Sequence, residues 1–178
     1  MTIQMFADLE CPTVKRFVEA YLPSLVTDWV RTGAVKLEYR SLRTDTENEH
    51  TFFNQEEAAL AAGEQDRMWN FALTFVRQQG EHFTEYATEP FLAGIASQVS
   101  ELNMKRWNRD RKDISLFEPI ALGVHAAHSQ GLYSTPSFNL TSRRHAGTVR
   151  GEVQASLEKD VQALNREALG EVAILKIR

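Results

Sequence analysis

This chain of 178 residues has a single cysteine, Cys11. It can form no intramolecular disulfide and no multi-cysteine metal site. A lone cysteine leaves the redox compartment open, since cytosolic proteins and exported proteins with one active-site thiol both fit. Long apolar runs are also missing, and none approaches the ~18 residues needed to span a bilayer. Basic charge is not in excess. The formal net charge is -4, which argues against a general nucleic-acid binder. There is no Gly-rich phosphate loop and no Gly-x-Ser-x-Gly elbow. The start, Met1 to Met5, has neither the basic region nor the apolar stretch of a signal peptide. Because the first strand begins almost at residue 1, we expect a leader segment to have preceded it.

What is present is ordinary for a globular domain, with 43% hydrophobic and 25% charged residues. Residues 2–8 alternate, with Ile3, Met5 and Ala7 on one face. Phe6 breaks the polar face, which predicts a strand buried on both sides. Pro12 suits the first turn of a helix. Val14, Phe17, Val18, Tyr21, Leu22, Leu25, Val26 and Trp29 then form one apolar stripe at helical spacing. Pro23 should kink this helix and Gly33 should end it. Val35, Leu37 and Tyr39 alternate with charged residues as a second strand. This order predicts a parallel βαβ unit with a right-handed crossover.

From about Asn54 to Gln130 the pattern is helical. Its expected stripes are Trp69, Ala72, Leu73 and Val76, then Phe91, Ile95, Val99 and Leu102, then Phe117, Ile120, Ala121 and Val124. Thr88 with Pro90 reads as a helix start. Residues 136–140 and 147–150 read as two short strands joined by a polar turn over 142–145. A last helix carries Val153, Leu157, Val161 and Leu164, and the tail 172–177 is apolar. The fold class is therefore α/β, one sheet carrying an inserted helical subdomain.

Cys11 stands where the first strand gives way to the helix. A helix N-terminus offers free N–H groups and the positive end of the macrodipole. Such placement can lower a cysteine pKa from ~8.5 into the range ~3.5–7.5. The competing reading is a small buried hydrophobe, the commoner fate of cysteine.

The segment Asp8-Leu9-Glu10-Cys11-Pro12-Thr13-Val14-Lys15-Arg16-Phe17 resembles the active-site segment of the DsbA-like thioredoxin-fold proteins. These carry an acidic residue, then Cys-Pro-x-Cys, then an aromatic on the same helix. Residues 59–65 (Ala-Leu-Ala-Ala-Gly-Glu-Gln) followed by Met68-Trp69 resemble the start of that family's helical insertion. Residues 131–138 (Gly-Leu-Tyr-Ser-Thr-Pro-Ser-Phe) resemble its cis-proline loop. The resemblance implies a thioredoxin-like fold with a mixed central sheet, formed by residues 1–53 and 131–178, and an all-helical insertion over 54–130. It implies that Cys11 is the nucleophilic thiol and that Pro12, Thr13 and Val14 complete the motif. Thr135-Pro136 would be the cis bond facing the thiol and binding substrate peptide. Asp8 could assist proton transfer, or be a solvated strand-end carboxylate.

The departure from the family is Val14, which stands where the second cysteine belongs. Thiol–disulfide exchange passes through a mixed disulfide, and valine cannot resolve one. The resemblance therefore implies a monothiol oxidoreductase scaffold acting on protein or small-molecule disulfides and thiols. It needs no cofactor, with glutathione as a conceivable co-substrate. It also implies an extracytoplasmic location, although a cytoplasmic one stays open. Two alternatives remain: a glutathione-dependent transferase or isomerase of the kappa type, and a redox-inactive peptide-binding module.

Other features read more plainly. His125 and His128 could share a helix face, but nothing completes a zinc ligand set, and no metal is expected. The basic run 105–112 around Trp107 reads as a solvated helix face with one buried ring.

Overall fold

The structure, a computed structural model, describes residues 1–141 and the backbone of 146–149. The turn 142–145, Arg150, the expected last helix on Val153, Leu157, Val161 and Leu164, and the tail 172–177 lie outside the described residues.

The chain opens with β1 (Thr2–Ala7), α1 (Pro12–Ala20), α2 (Leu22–Leu25) and β2 (Lys36–Ser41). Five helices follow: α3 (Glu49–Gly63), α4 (Met68–Arg77), α5 (Glu89–Ser97), α6 (Met104–Asp110) and α7 (Phe117–Ser129). β3 (Ser137–Thr141) and β4 (Ala146–Val149) close the described part. The sheet has the order β2-β1-β3-β4. β1 runs parallel to β2, with Ile3 opposite Leu37, and antiparallel to β3, with Ile3 opposite Leu140. β3 and β4 form the expected antiparallel hairpin. The result is a mixed sheet whose helical insertion lies between β2 and β3, as the sequence predicts.

β1 is central and covered on both faces. Ile3, Met5 and Ala7 enter the main core with Val14, Phe17 and Val18 of α1. Phe6 points the other way, into a smaller cluster with Leu42, Ala127 and Leu132. That second face is closed by α7, which crosses β2 tightly. A Cβ on Gly123 would sit 2.9 Å from the Ser41 carbonyl oxygen, so only glycine permits this approach.

Three helical expectations are corrected. The long first helix is broken rather than kinked. Tyr21 leaves helical geometry at φ -132°, and Pro23 starts a new short helix. Pro23 lacks the N–H that would bond the Glu19 carbonyl and suits a first helical turn, so the break falls just upstream of the ring. The chain then widens into a π turn over Val26–Val30, and Gly33 ends it at φ +77°. The insertion starts at Glu49, earlier than Asn54, because the Asn48 side chain accepts the His50 and Thr51 amides as an N-cap.

The third correction concerns buried faces. α4 buries Phe71, Ala72, Phe75 and Val76, while Trp69 and Leu73 lie at the edge of the core. α7 buries Ile120, Gly123 and Ala127, and Phe117 is exposed, its ring stacked on Phe53. In α7 the tight approach to β2 favours the small Gly123 at the contact, whereas α4 packs against α1, α3 and α5, and the faces they present select Phe71 and Phe75. Thr88 caps α5 as expected, accepting the Phe91 amide. In α6, Trp107 is fully buried and donates its indole N–H to the Ala58 carbonyl, while Arg106 and Arg109 pair with Asp110 on the outer face.

Candidate active site

Cys11 is the N-cap residue of α1, in extended geometry at φ -69° and ψ 122°. Its carbonyl accepts the Lys15 amide at 3.2 Å and so starts the helix. Pro12 lies in the first turn and is exposed, and Val14 is buried in the main core. The Cys11 amide donates to the Asp8 carbonyl at 3.1 Å, which closes the turn between β1 and α1. From the insertion, the Gln79 side chain donates to the carbonyls of Leu9 (2.7 Å) and Cys11 (3.1 Å).

The thiol faces the loop that follows α7. Gly131, at φ +69°, ends that helix, and Leu132 anchors the loop by returning its amide to the Ala127 carbonyl. The Thr135–Pro136 peptide is cis. The Cys11 thiol donates to the Thr135 carbonyl at 3.5 Å. The Thr135 hydroxyl lies 2.6 Å from that of Thr44, which donates to Asp45 Oδ2. Cys11, Thr135 and Pro136 therefore converge on one place, although 124 residues separate Cys11 from Thr135.

Burial changes the chemistry expected of the thiol. Cys11 is only 3% exposed. Desolvation pushes its pKa up, hydrogen bonding to Thr135 and to the Val14 backbone opposes this, and the neighbouring Asp45 carboxylate adds to the rise. The expectation of a lowered thiol pKa is thus corrected, because the helix terminus is present but desolvation outweighs it.

Asp8 is not the solvated strand-end carboxylate of the alternative reading. It is fully buried and accepts five hydrogen bonds: from the amides of Glu10, Thr44, Asp45 and Thr46 and from the Thr46 hydroxyl. A carboxylate has about four lone-pair sites, so these five bonds saturate its oxygens. Its role is to hold the β2–α3 loop against the end of β1.

Several residues at the site had no role in the sequence reading. Glu10 is 6% exposed, and its Oε1 has no hydrogen-bond partner. Burial, then the Asp8 charge, push its carboxyl up to about 7. Asp45 adjoins the thiol, and His82 Nε2 lies 3.3 Å from its Oδ1. Beside His82, Phe83 adopts φ +63° and carries a 62% exposed ring. The acidic residue before the cysteine was visible in the sequence. Asp45 and His82 had no local signal, because tertiary packing brings them in.

Behind the site, Glu56 of α3 is fully buried. It bonds to the Tyr39 hydroxyl at 2.8 Å and the Ser41 hydroxyl at 2.6 Å, and burial pushes it up to about 8. The Tyr39 hydroxyl also lies 3.2 Å from the Ala7 carbonyl. A phenol has one proton for two acceptors. A protonated Glu56 resolves the conflict by donating to Tyr39, which then donates to Ala7.

Among the described residues no three His, Cys, Asp or Glu side chains form a metal-binding group. His125 and His128 are exposed, and His128 stacks on Tyr133. No helix among the described residues is long and apolar enough to cross a membrane.

A thioredoxin family model matches residues 1–159. A thioredoxin-like oxidoreductase from Silicibacter pomeroyi is 26% identical, with 93% of this chain and 86% of that one covered and a TM-score of 0.73. BdbD from Bacillus subtilis aligns at 14% identity, with coverage of 93% and 87% and a TM-score of 0.77. Pseudomonas aeruginosa DsbA2 aligns at 22% identity, with coverage of 92% and 87% and a TM-score of 0.68. No curated protein matches significantly. With the strand order, the helical insertion and the family match in agreement, the chain belongs to the thioredoxin family and has the DsbA-like form of its fold.

Proposed function

We propose that the protein is a monothiol oxidoreductase on a DsbA-like scaffold, acting on disulfides and thiols of proteins or small molecules. The observation that carries this reading is the Cys11 thiol hydrogen-bonded to the Thr135 carbonyl, beside Pro136. Ionised Cys11 attacks one sulfur of a substrate disulfide. A new S–S bond forms as the old one breaks, and the second substrate sulfur leaves with the electron pair as a thiolate. The Cys11 proton goes to solvent, from which the leaving thiolate can take one up. Val14 offers no sulfur, so an external thiol such as glutathione must attack the mixed disulfide and release Cys11.

In this reading the Thr135–Pro136 loop offers backbone groups to an extended substrate, a short form of strand addition. Pro12 and Thr13 shape the approach to the thiol. An extracytoplasmic location belongs to the same proposal, since disulfides persist in oxidising compartments.

Burial of the thiol favours a second reading, a peptide-binding module in which Cys11 rarely reacts. One experiment separates the two. A cysteine peptide activated as a mixed disulfide with thionitrobenzoate is mixed with the protein at neutral pH, and chromophore release is followed. The oxidoreductase reading expects Cys11 to react faster than a free model thiol, with no release from Cys11→Ser. A rate at or below that of the free thiol rejects it. Peptide binding that survives Cys11→Ser would then support the module.

A further inference from the structure

Beside the thiol, the end of the β2–α3 loop faces the segment around Phe83 across a small cleft. Its lining includes Glu10, Asp45, Thr46, Glu47, Phe83 and Glu85. The cleft therefore has four carboxylates. The space it offers to a water-sized group is about 10 Å³, room for a single such group.

Acidic side chains alone define no ligand, but Glu10 adds an independent fact. It is more than nine-tenths buried, lines this cleft, and leaves Oε1 without a donor. An unpaired buried carboxylate oxygen is costly. The nearby basic side chains are engaged elsewhere: His82 lies against Asp45, and Arg43 donates to the carbonyls of Thr46 and Glu47. Asp8, below Glu10, adds a further negative charge and has no free acceptor.

We propose that this cleft receives the ammonium group of a lysine flanking the substrate cysteine, so that the protein selects lysine-flanked disulfides. The inference rests on the thiol reading above and specifies its substrate. An ammonium is about the size of a water molecule and brings three donors, whereas a guanidinium is a broad planar fork. The exposed Phe83 ring offers a surface for the aliphatic stem of the lysine. Asp45 belongs both to the cleft and to the surroundings of the thiol. A cation bound there offsets the negative field that holds the thiol protonated, so docking and activation are linked. It also draws Glu10 into its charged form, so the preference strengthens between pH 6 and pH 8.

Three thionitrobenzoate-activated peptides, identical except for lysine, glutamine or glutamate beside the cysteine, test this on the full chain. At low salt the lysine peptide should react about tenfold faster than the glutamine peptide, and the glutamate peptide slowest, with the spread narrowing as salt rises. Glu10→Gln should reduce the lysine-to-glutamine ratio to about threefold or less. Glu118→Gln, which removes the same charge from α7, should leave the ratio as it is. Ratios within twofold for all three peptides overturn the proposal, as does equal loss in both variants. If Cys11 reacts with none of them, the oxidoreductase reading falls. The cleft is then judged by equilibrium binding of serine-for-cysteine peptides, where tighter lysine-peptide binding upholds it and equal binding overturns it.

Discussion

Glu56 allows a quantitative test of the buried polar cluster beneath the site. Its carboxyl is raised from the usual 4.5 to about 8, first by burial. Between those two values the unfolded chain has released the proton and the folded chain still holds it. The native state then binds more protons than the unfolded state, so stability falls as pH rises. The contribution is fully present below about pH 4.5 and is lost by about pH 8. Each pH unit in that window costs about 1.4 kcal/mol, or about 4 kcal/mol from pH 5 to pH 8. Glu56→Gln keeps a donor toward Tyr39 and an acceptor for Ser41 but cannot ionise. One amide hydrogen is left unpaired, a roughly constant cost of about 1–3 kcal/mol. Urea unfolding of both proteins from pH 5 to pH 9 isolates the effect, because other titrating groups, Glu10 included, cancel in the difference. The variant should gain about 1.4 kcal/mol per unit relative to the parent up to pH 8, then level off. Parallel stability curves would refute a neutral Glu56.

Two further substitutions probe the thiol. Asp45→Asn removes a carboxylate that holds the Cys11 pKa up, so the pH profile of Cys11 alkylation should move to lower pH, and an unmoved profile would show that burial alone sets the titration. Val14→Cys puts a second sulfur in the first turn of α1; mild oxidation should then lower the protein mass by two hydrogens and consume both thiols, whereas a protein that keeps two free thiols would show that this turn cannot close a disulfide.

The sequence carried the strand–helix–strand unit, the helical insertion and the late hairpin, because each rests on local periodicity. It also carried the two halves of the site, Cys11-Pro12 and Thr135-Pro136, through residue types with strong backbone preferences. It could not rank competing helix faces. On α4 the choice of Phe71 and Phe75 over Trp69 and Leu73 depends on what stands opposite. The charge at the site was hidden for the same reason. Asp8 looked like a surface carboxylate until the β2–α3 loop folded its amides around it, and His82 approaches Asp45 from a different connection. The thiol pKa departs from the sequence expectation because a helix terminus is visible in a sequence and desolvation is not.

Burial of the one thiol at a meeting point of distant segments has a practical consequence. With 3% of Cys11 exposed, a small alkylating reagent must wait for the site to open. When closing is fast relative to alkylation, the observed rate is the intrinsic rate of the opened site multiplied by the open fraction. The ratio of the two rates is thus an opening equilibrium constant. The Thr135 carbonyl meets the sulfur and the Gln79 side chain holds the Leu9 and Cys11 carbonyls beside it, so a loosening of either registers in that ratio. The protein carries its own single-site label, and its local stability can be followed without adding a probe.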